Sequence, residues 1–158
     1  MLTQETLQAI AKNPNFQDKQ LLSDLAVLFQ EKPEALEFLN LYGNYGELID
    51  DMVDDPGNSL TVQKADELSI KICECSYWQK HQQCLWCIRW IIHNQFFDSV
   101  KLESSSELWK RRDAKVLSHA GSMMLFAVIL IEFVVEKLNE ISVRFREHMY
   151  DKHKDDII

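Results

Sequence analysis

The sequence has few of the residues that make tight turns. Four glycines and three prolines occur among its 158 residues. Because strands and hairpins need such residues at frequent intervals, their scarcity argues against a turn-rich β fold. Hydrophobic residues make up 46% and charged residues 27% of the chain, as in globular proteins. We therefore predict an all-α fold: a single helical-bundle domain over residues 1–150 with two long antiparallel helices, followed by a polar tail over residues 151–158.

The sequence also lacks an unbroken apolar run of about 20 residues, the length that crosses a membrane. Its most apolar run covers residues 123–131 and resumes at residues 133–135, after Glu132. The first residues contain no basic region followed by an apolar one, which a signal peptide requires. We expect a buried central helix at residues 123–131, no membrane contact and a cytoplasmic location.

Positive charge is scarce too. Seventeen Lys and Arg face 25 Asp and Glu, so the net charge is −8. A phosphate backbone repels such a chain, which argues against general nucleic-acid binding. The exception is a local group that we call the basic segment and predict to bind phosphate: Lys110, Arg111, Arg112 and Lys115.

The four cysteines do not form an evident zinc motif. All of them fall on one stretch with helical periodicity, where side chains cannot easily surround a tetrahedral ion. In a cytoplasmic protein they are reduced thiols. Cys73, Cys84 and Cys87 share a helical face with Ile88 and Ile91, which predicts that they are small core residues. Metal binding by the cysteines is left open.

Apolar periodicity predicts the order of the helices. Short helices are expected over residues 3–12, 17–30 and 33–42, the last one beginning at Pro33. A kink or short break at residues 43–46 precedes an acidic helix that ends near Pro56. Thr61 is expected to cap a long helical stretch over residues 62–97, with a bend near Tyr77 or Lys80. Ser104 and Glu107 form a capping-box pattern that begins the last helix, which reaches residue 150 with an interruption near Gly121.

Acidic residues are concentrated where the acidic helix ends. Asp50, Asp51 and Asp54 lie in its last turn, where the helix dipole disfavours each negative charge by about 0.3–1 kcal/mol. The turn that follows is short, so Asp66 and Glu67 of the next helix are expected at the same level. Mg²⁺ and Mn²⁺ take oxygen ligands of this kind, often together with substrate phosphate. The alternative is a solvated acidic helix end, because Asp is common in turns.

The segment Asp50-Asp51-Met52-Val53-Asp54 resembles the aspartate-rich motif of class I isoprenoid synthases. That resemblance implies that the acids hold Mg²⁺ against a diphosphate. Those enzymes are longer, and their second metal motif is not evident here. Residues 45–54, 94–97 and 109–119 also resemble small helical proteins of phages and prophages, which implies a context but no chemistry. Glu47-x-x-Asp50 is similar to one half of the paired acidic motif of all-α nucleotide pyrophosphatases.

Arg112 and His119 are seven residues apart, nearly two helical turns, and so are expected on one helix face. Their spacing is similar to the Arg-x(4–6)-His motif of HEPN domains, which are helical bundles and often metal-independent ribonucleases. The resemblance implies proton transfer by His119 and stabilisation of the scissile phosphate by Arg112. The alternative is a surface arginine and a partly buried histidine.

Aromatic residues are concentrated between Tyr77 and Phe97. Trp78, Trp86 and Trp90 lie on this stretch, which is apolar on most sides. A helix that is apolar all round is either completely buried or forms a subunit interface. Both alternatives remain open from the sequence, and a homo-oligomer is permitted.

Three functional hypotheses follow. In the first, this is a phage-type protein that uses Mg²⁺ or Mn²⁺ to bind or process a phosphorylated small molecule, a nucleotide or a diphosphate. Its predicted ligands are Asp50, Asp51, Asp54, Asp66 and Glu67. In the second, it is a non-enzymatic acidic protein, such as an immunity, antitoxin or anti-defence factor, with a basic protein as its partner. In the third, it is a HEPN-like ribonuclease. Whether the chain is an enzyme is left open.

Overall fold

The computed structural model describes residues 19–153, and the side chains of residues 23–147. Every regular element in this part of the chain is helical, so the predicted all-α class is confirmed. The chain divides into two compact units, one up to Gln82 and one from Gln83. The single domain over residues 1–150 stays a prediction. The helix predicted over residues 3–12 and residues 154–158 of the polar tail lie outside the described residues.

The helices are named here in chain order. Those of the first unit are α1 (Lys19–Leu28), α2 (Pro33–Asp54), α3 (Ser59–Glu74) and the first turns of α4 (Ser76–Glu103). The second unit contains the rest of α4, then α5 (Leu108–Ser118), a 3₁₀ turn (His119–Gly121), α6 (Ser122–Glu132) and α7 (Val135–His153).

α2 is a single helix of 22 residues that runs through Gly43 and Gly46. The break predicted at residues 43–46 is therefore wrong. Neither glycine has a positive φ, and a Cβ added to either would meet nothing within 4 Å. Glycine disfavours a helix by up to about 1 kcal/mol relative to alanine, and the packing of α2 against α3 overrides that local preference. The predicted start at Pro33 and the predicted end before Pro56 are both found.

α2 and α3 form a helical hairpin joined by residues 55–58. The side-chain oxygen of Asn58 accepts a hydrogen bond from the Thr61 N–H at 3.2 Å. Asn58 is therefore the N-cap, and α3 begins at Ser59 rather than after Thr61. The expectation that the acidic helix and its successor are neighbours in space is confirmed.

The core of the first unit is built around Phe38, which is completely buried. Its ring centroid lies 5.9 Å from that of Tyr42, 5.4 Å from Tyr77 and 6.2 Å from Trp78. Tyr77 and Trp78 belong to the first turn of α4, and both are buried. This aromatic cluster links the middle of α2 to the start of α4.

The long stretch predicted over residues 62–97 is divided at Cys75, not at Tyr77 or Lys80. Cys75 has an extended backbone, with φ −67° and ψ 143°. Its N–H donates to the Lys71 carbonyl at 3.0 Å, and its own carbonyl accepts from the Gln79 N–H at 3.2 Å. Cys75 thus ends α3 and precedes the first residue of α4, although no glycine or proline at this point predicts a break.

The last predicted helix is also divided. It is interrupted by the 3₁₀ turn at Gly121, as the sequence permitted, and again at Phe133, where the backbone is extended with φ −135° and ψ −173°. α6 and α7 pack against each other, with the rings of Phe126 and Phe145 meeting edge to face at 5.9 Å. The two long helices of the prediction are thus each broken into shorter helices, and their antiparallel pairing stays a prediction.

The predicted capping box is not formed. The Ser104 hydroxyl donates to the carbonyl of Lys101, at the end of α4. The Ser105 hydroxyl instead accepts from the Glu107 N–H at 3.2 Å, and α5 begins at Leu108. The side chain of Glu107 is hydrogen-bonded forward to Trp109 and Lys110 rather than back to the cap.

One stretch of the described residues, Leu108–Glu132, is long and apolar enough by length and composition to cross a membrane. The most apolar part of it has a mean hydropathy of 1.8 and is 28% buried. Met124, Val128 and Ile129 are buried, but Leu130 is half exposed, so the buried central helix predicted there is only partly found. The core helix of a soluble protein passes the same test, and the absence of membrane contact stays a prediction.

Candidate functional site

The acidic residues of the first unit lie at the closed end of the α2–α3 hairpin. We call residues 47–67 the acidic hairpin. This segment contains seven carboxylates and one lysine, so it carries −6 of the chain's net charge of −8. All seven carboxylate residues are exposed: Glu47, Asp50, Asp51, Asp54, Asp55, Asp66 and Glu67.

Helix periodicity explains why these carboxylates face water. On the last turns of α2 the apolar residues Ile49, Met52 and Val53 are half buried, as their spacing predicts. On α3 the buried positions are Ala65 and Ile72, seven residues apart. The acids occupy exposed positions on both of these packed helices and in the turn between them.

The predicted metal ligands are all exposed, three of them on α2 and two on α3. Within residues 19–153 no group of three or more His, Cys, Asp or Glu side chains is arranged to hold a metal ion. The Glu67 carboxylate accepts a hydrogen bond from the Gln63 side chain at 3.0 Å. The Mg²⁺ or Mn²⁺ site at Asp50, Asp51, Asp54, Asp66 and Glu67 stays a prediction.

The basic segment lies on α5 and is largely engaged by nearby acceptors. Lys110 forms an ion pair with Glu107, and the Lys115 ammonium lies 4.0 Å from the Glu103 carboxylate. The Arg111 guanidinium donates to the carbonyls of Ser105 and Ser106, at 2.9 Å and 3.1 Å. These contacts reduce the positive charge available to a phosphate, and phosphate binding by the basic segment stays a prediction.

Glu107 has the clearest electrostatic perturbation on this part of the surface. Hydrogen bonds from Lys110 and, secondarily, from the Trp109 indole N–H hold the pKa of its carboxyl below the usual value. The indole nitrogen lies 2.8 Å from the carboxylate. The group is fully exposed, so its pKa shift indicates a local surface arrangement rather than a catalytic acid.

Arg112 and His119 do not lie on one continuous α-helix. α5 ends at Ser118, and His119 is its C-cap and the first residue of the 3₁₀ turn. Arg112 is exposed, whereas His119 is half buried. The shared helical face expected from their spacing and the ribonuclease hypothesis both stay predictions.

The cysteines are not core residues, and that prediction is wrong. Cys73, Cys84 and Cys87 are exposed and Cys75 is half buried, all as free thiols. The buried face of α4 is formed by Leu85, Ile92 and Ser99, seven residues apart. Cys84 and Cys87 lie to the side of this face. Burial raises the pKa of the Cys75 thiol above its ordinary value.

The second unit exposes a row of aromatic side chains along α4. The row consists of Trp86, Trp90, His93 and Phe97, which we call the aromatic face. Trp86 is 49%, Trp90 51% and Phe97 38% exposed. Consecutive ring centroids are 6.2, 5.6 and 4.7 Å apart. Complete burial, one of the two alternatives left by the sequence, is therefore wrong for Trp86 and Trp90 and right for Trp78.

The surroundings of the aromatic face are almost free of charge. Between Lys80 and Asp98, Arg89 is the only Lys, Arg, Asp or Glu, and it is half buried. The concentration of aromatic residues between Tyr77 and Phe97 is evident in the sequence, but the row that includes His93 was not predicted. The signal was their spacing of four, three and four residues, which places them along one side of a helix.

No family model, curated protein or solved structure matches this chain.

Proposed function

We propose that this chain is a non-enzymatic binding protein whose acidic hairpin holds a basic surface of another protein. The observation that carries the proposal is the exposure of seven carboxylates on residues 47–67, with a single lysine among them. The class is that of the second sequence hypothesis, an acidic blocking factor such as an immunity protein, an antitoxin or an anti-defence protein.

The negative charge of the acidic hairpin favours a positively charged protein as its partner. Carboxylates at the C-terminal end of α2 face the negative end of its helix dipole, so an approaching cationic side chain relieves repulsion. Concentrated negative charge also steers a basic protein toward this end of the hairpin and accelerates their association. Arginine suits such a surface best, because its planar guanidinium pairs with a carboxylate through two parallel hydrogen bonds.

The same charge disfavours the other candidate ligands. A nucleic acid or a free phosphate compound is repelled by a hairpin of charge −6 unless a cation intervenes. The scaffold supports protein binding, because the carboxylates project from helices anchored by the buried Phe38 rather than from a long loop. The free thiols support a cytoplasmic location. Phage origin rests on the sequence resemblance alone.

The test is binding of a labelled arginine-rich helical peptide, followed by fluorescence anisotropy. The hairpin variant is Asp50→Asn/Asp51→Asn/Asp54→Asn, and the matched control is Glu103→Gln/Glu136→Gln/Glu147→Gln, three exposed acids of the second unit. Each variant removes three negative charges. We expect about tenfold weaker binding by the hairpin variant, since three exposed charge pairs at about 0.5 kcal/mol each total about 1.5 kcal/mol, and about 1.4 kcal/mol is tenfold in affinity. The control should stay within about twofold.

Equal losses in both variants would mean that only the overall charge matters, and would contradict the proposal. A chelator should leave binding unchanged. The divalent-cation hypothesis predicts instead that Mg²⁺ at 100 times its dissociation constant raises the free energy of unfolding by about 2.7 kcal/mol. If Asp50→Ala/Asp54→Ala removed such a rise in a thermal melt, the hairpin would be assigned to a metal rather than to a basic protein.

A further inference from the structure

We infer that the aromatic face of α4 is the surface through which two copies of this chain associate, by pairing of their α4 helices. This inference concerns the second unit and goes beyond the proposed function of the acidic hairpin. The two proposals can fail separately, because they rest on different residues.

The spacing of the aromatic face is that of a helix-pairing seam. Trp86, Trp90, His93 and Phe97 follow one another at intervals of four, three and four residues, as do the a and d positions of a heptad repeat. Gln83 and Val100 continue the same pattern by one position at each end. Measured from Gln83 to Val100, the seam is about 25 Å long at the α-helical rise of 1.5 Å per residue.

The seam remains exposed to solvent: Trp86, Trp90 and Phe97 are 49%, 51% and 38% exposed. On α4, Leu85, Ile92 and Ser99 are buried. Each of them directly precedes a residue of the seam: Trp86, His93 or Val100. Successive residues of a helix are about 100° apart, so the seam lies on a different side of α4 from the buried face. The contacts of Trp90 with Trp86 and of Trp90 with His93 are both edge to face, at 80° and 79°. These contacts order the rings before any partner arrives and so reduce the entropy lost on binding.

The scarcity of charged side chains along the seam indicates that its binding partner is a second copy of this chain. Two chains of net charge −8 repel each other wherever their charged surfaces meet. Along the seam the exposed neighbours Gln83, Cys87 and Asn94 are neutral, so this surface can meet itself without bringing like charges together. Asp98 is the single carboxylate between Gln83 and Val100, and it forms an ion pair with Lys101 at 3.3 Å. Uncharged aromatic surface is typical of the centre of an interface, and a self-complementary patch pairs about a two-fold axis.

The area of the seam is suited to a reversible dimer. A fully buried aromatic side chain contributes about 150–250 Å², and those of the seam are roughly half exposed. Four such side chains therefore bury about 300–500 Å² per copy, or about 600–1,000 Å² in a pair. The flanking neutral residues bring the total toward the lower limit of specific interfaces, about 1,200 Å². We expect a dimer in concentration-dependent exchange with the monomer.

The first experiment is sedimentation equilibrium of the full chain over a wide range of protein concentration. The mass should rise from the 18.6 kDa of one chain toward twice that value. The test variant is Trp86→Gln/Trp90→Gln. The matched control is Trp109→Gln/Val116→Gln, an apolar pair on α5 of the same unit that is more exposed than Trp86 and Trp90. We expect the seam variant to weaken dimerisation at least about tenfold, because central tryptophans contribute most to interfaces. The control should remain within about twofold.

The native thiols provide a second readout without mutation. Cys87 flanks the seam, whereas Cys73 belongs to the first unit, and both are exposed. As protein concentration rises, maleimide labelling of Cys87 should slow while that of Cys73 does not. A chain that stays monomeric at every concentration, or equal weakening by both pairs of substitutions, would overturn the inference. Dimerisation that protects Cys87 and Cys73 equally from maleimide would also overturn the inference. Circular dichroism verifies that each variant is folded.

Discussion

In the acidic hairpin, apolar side chains face the core and carboxylates face water, whereas α4 turns Trp86 and Trp90 toward solvent on a side that its unit does not cover. The hairpin follows the ordinary amphipathic pattern of a surface helix. The aromatic face departs from that pattern, because large apolar side chains remain exposed together rather than singly. An ordinary amphipathic helix surface does not by itself indicate a binding partner. A contiguous exposed apolar surface indicates a binding site for another molecule. The predictions below use matched changes in the two regions.

The largest contrast is expected between Phe38 and Trp90. Phe38→Ala should lower the free energy of unfolding by about 3–5 kcal/mol, since it removes the ring that contacts Tyr42, Tyr77 and Trp78 and leaves a cavity. Trp90→Ala should change it by less than about 1 kcal/mol in the monomer, because the side chain is half exposed. Urea unfolding at low protein concentration measures both. Comparable losses of unfolding free energy in the two variants would mean that the aromatic face is part of a hydrophobic core. The proposed difference between the two regions would then be wrong.

An intermediate effect is expected in α2. Gly43→Ala/Gly46→Ala should raise the free energy of unfolding by about 1–2 kcal/mol, because both residues are helical and a Cβ would have free space. Thermal melting measures the change. Asn58→Ala is the opposite control, and loss of its cap should cost about 1 kcal/mol. Destabilisation by the two alanines would show that the glycines serve a bend or a contact in α2.

The smallest effect is expected at Glu107. Its folded pKa is lowered from 4.5, so the group stabilises the protein above its unfolded pKa and loses that contribution as pH falls through the folded value. Lys110→Ala should move the Glu107 pKa back toward 4.5, as measured by carboxyl-detected NMR titration. Lys137→Ala, which removes the ion pair with Glu140 on α7, is the matched control and should leave the Glu107 titration unchanged.

Much of the hairpin could be predicted from sequence. Pro33 begins α2 and Pro56 ends it, because proline lacks the N–H that a helix interior needs and suits its first turn. The exposure of Asp50, Asp51 and Asp54 follows from the spacing of the half-buried Ile49 and Val53. What the spacing did not reveal is whether the acids converge, because that depends on side-chain directions on two separate helices.

The second unit was predicted less well, for a related reason. Periodicity showed that α4 is apolar on several sides but not which side its unit covers. Cys84 and Cys87 were therefore expected in the core, and they lie exposed instead. Leu85 and Ile92 take the buried positions instead. The spacing of the apolar residues along the chain is the same whichever side of α4 is buried.

By itself, the sequence determined the helical class, the start and end of α2 and the charged character of the hairpin. These features depend on backbone hydrogen bonds and preferences within about four residues of each other. Only the tertiary structure decided the break at Cys75, where no local breaker exists and where the extended residue lets Tyr77 and Trp78 pack on Phe38. It also decided that the aromatic face stays exposed, since burial depends on what residues far along the chain cover.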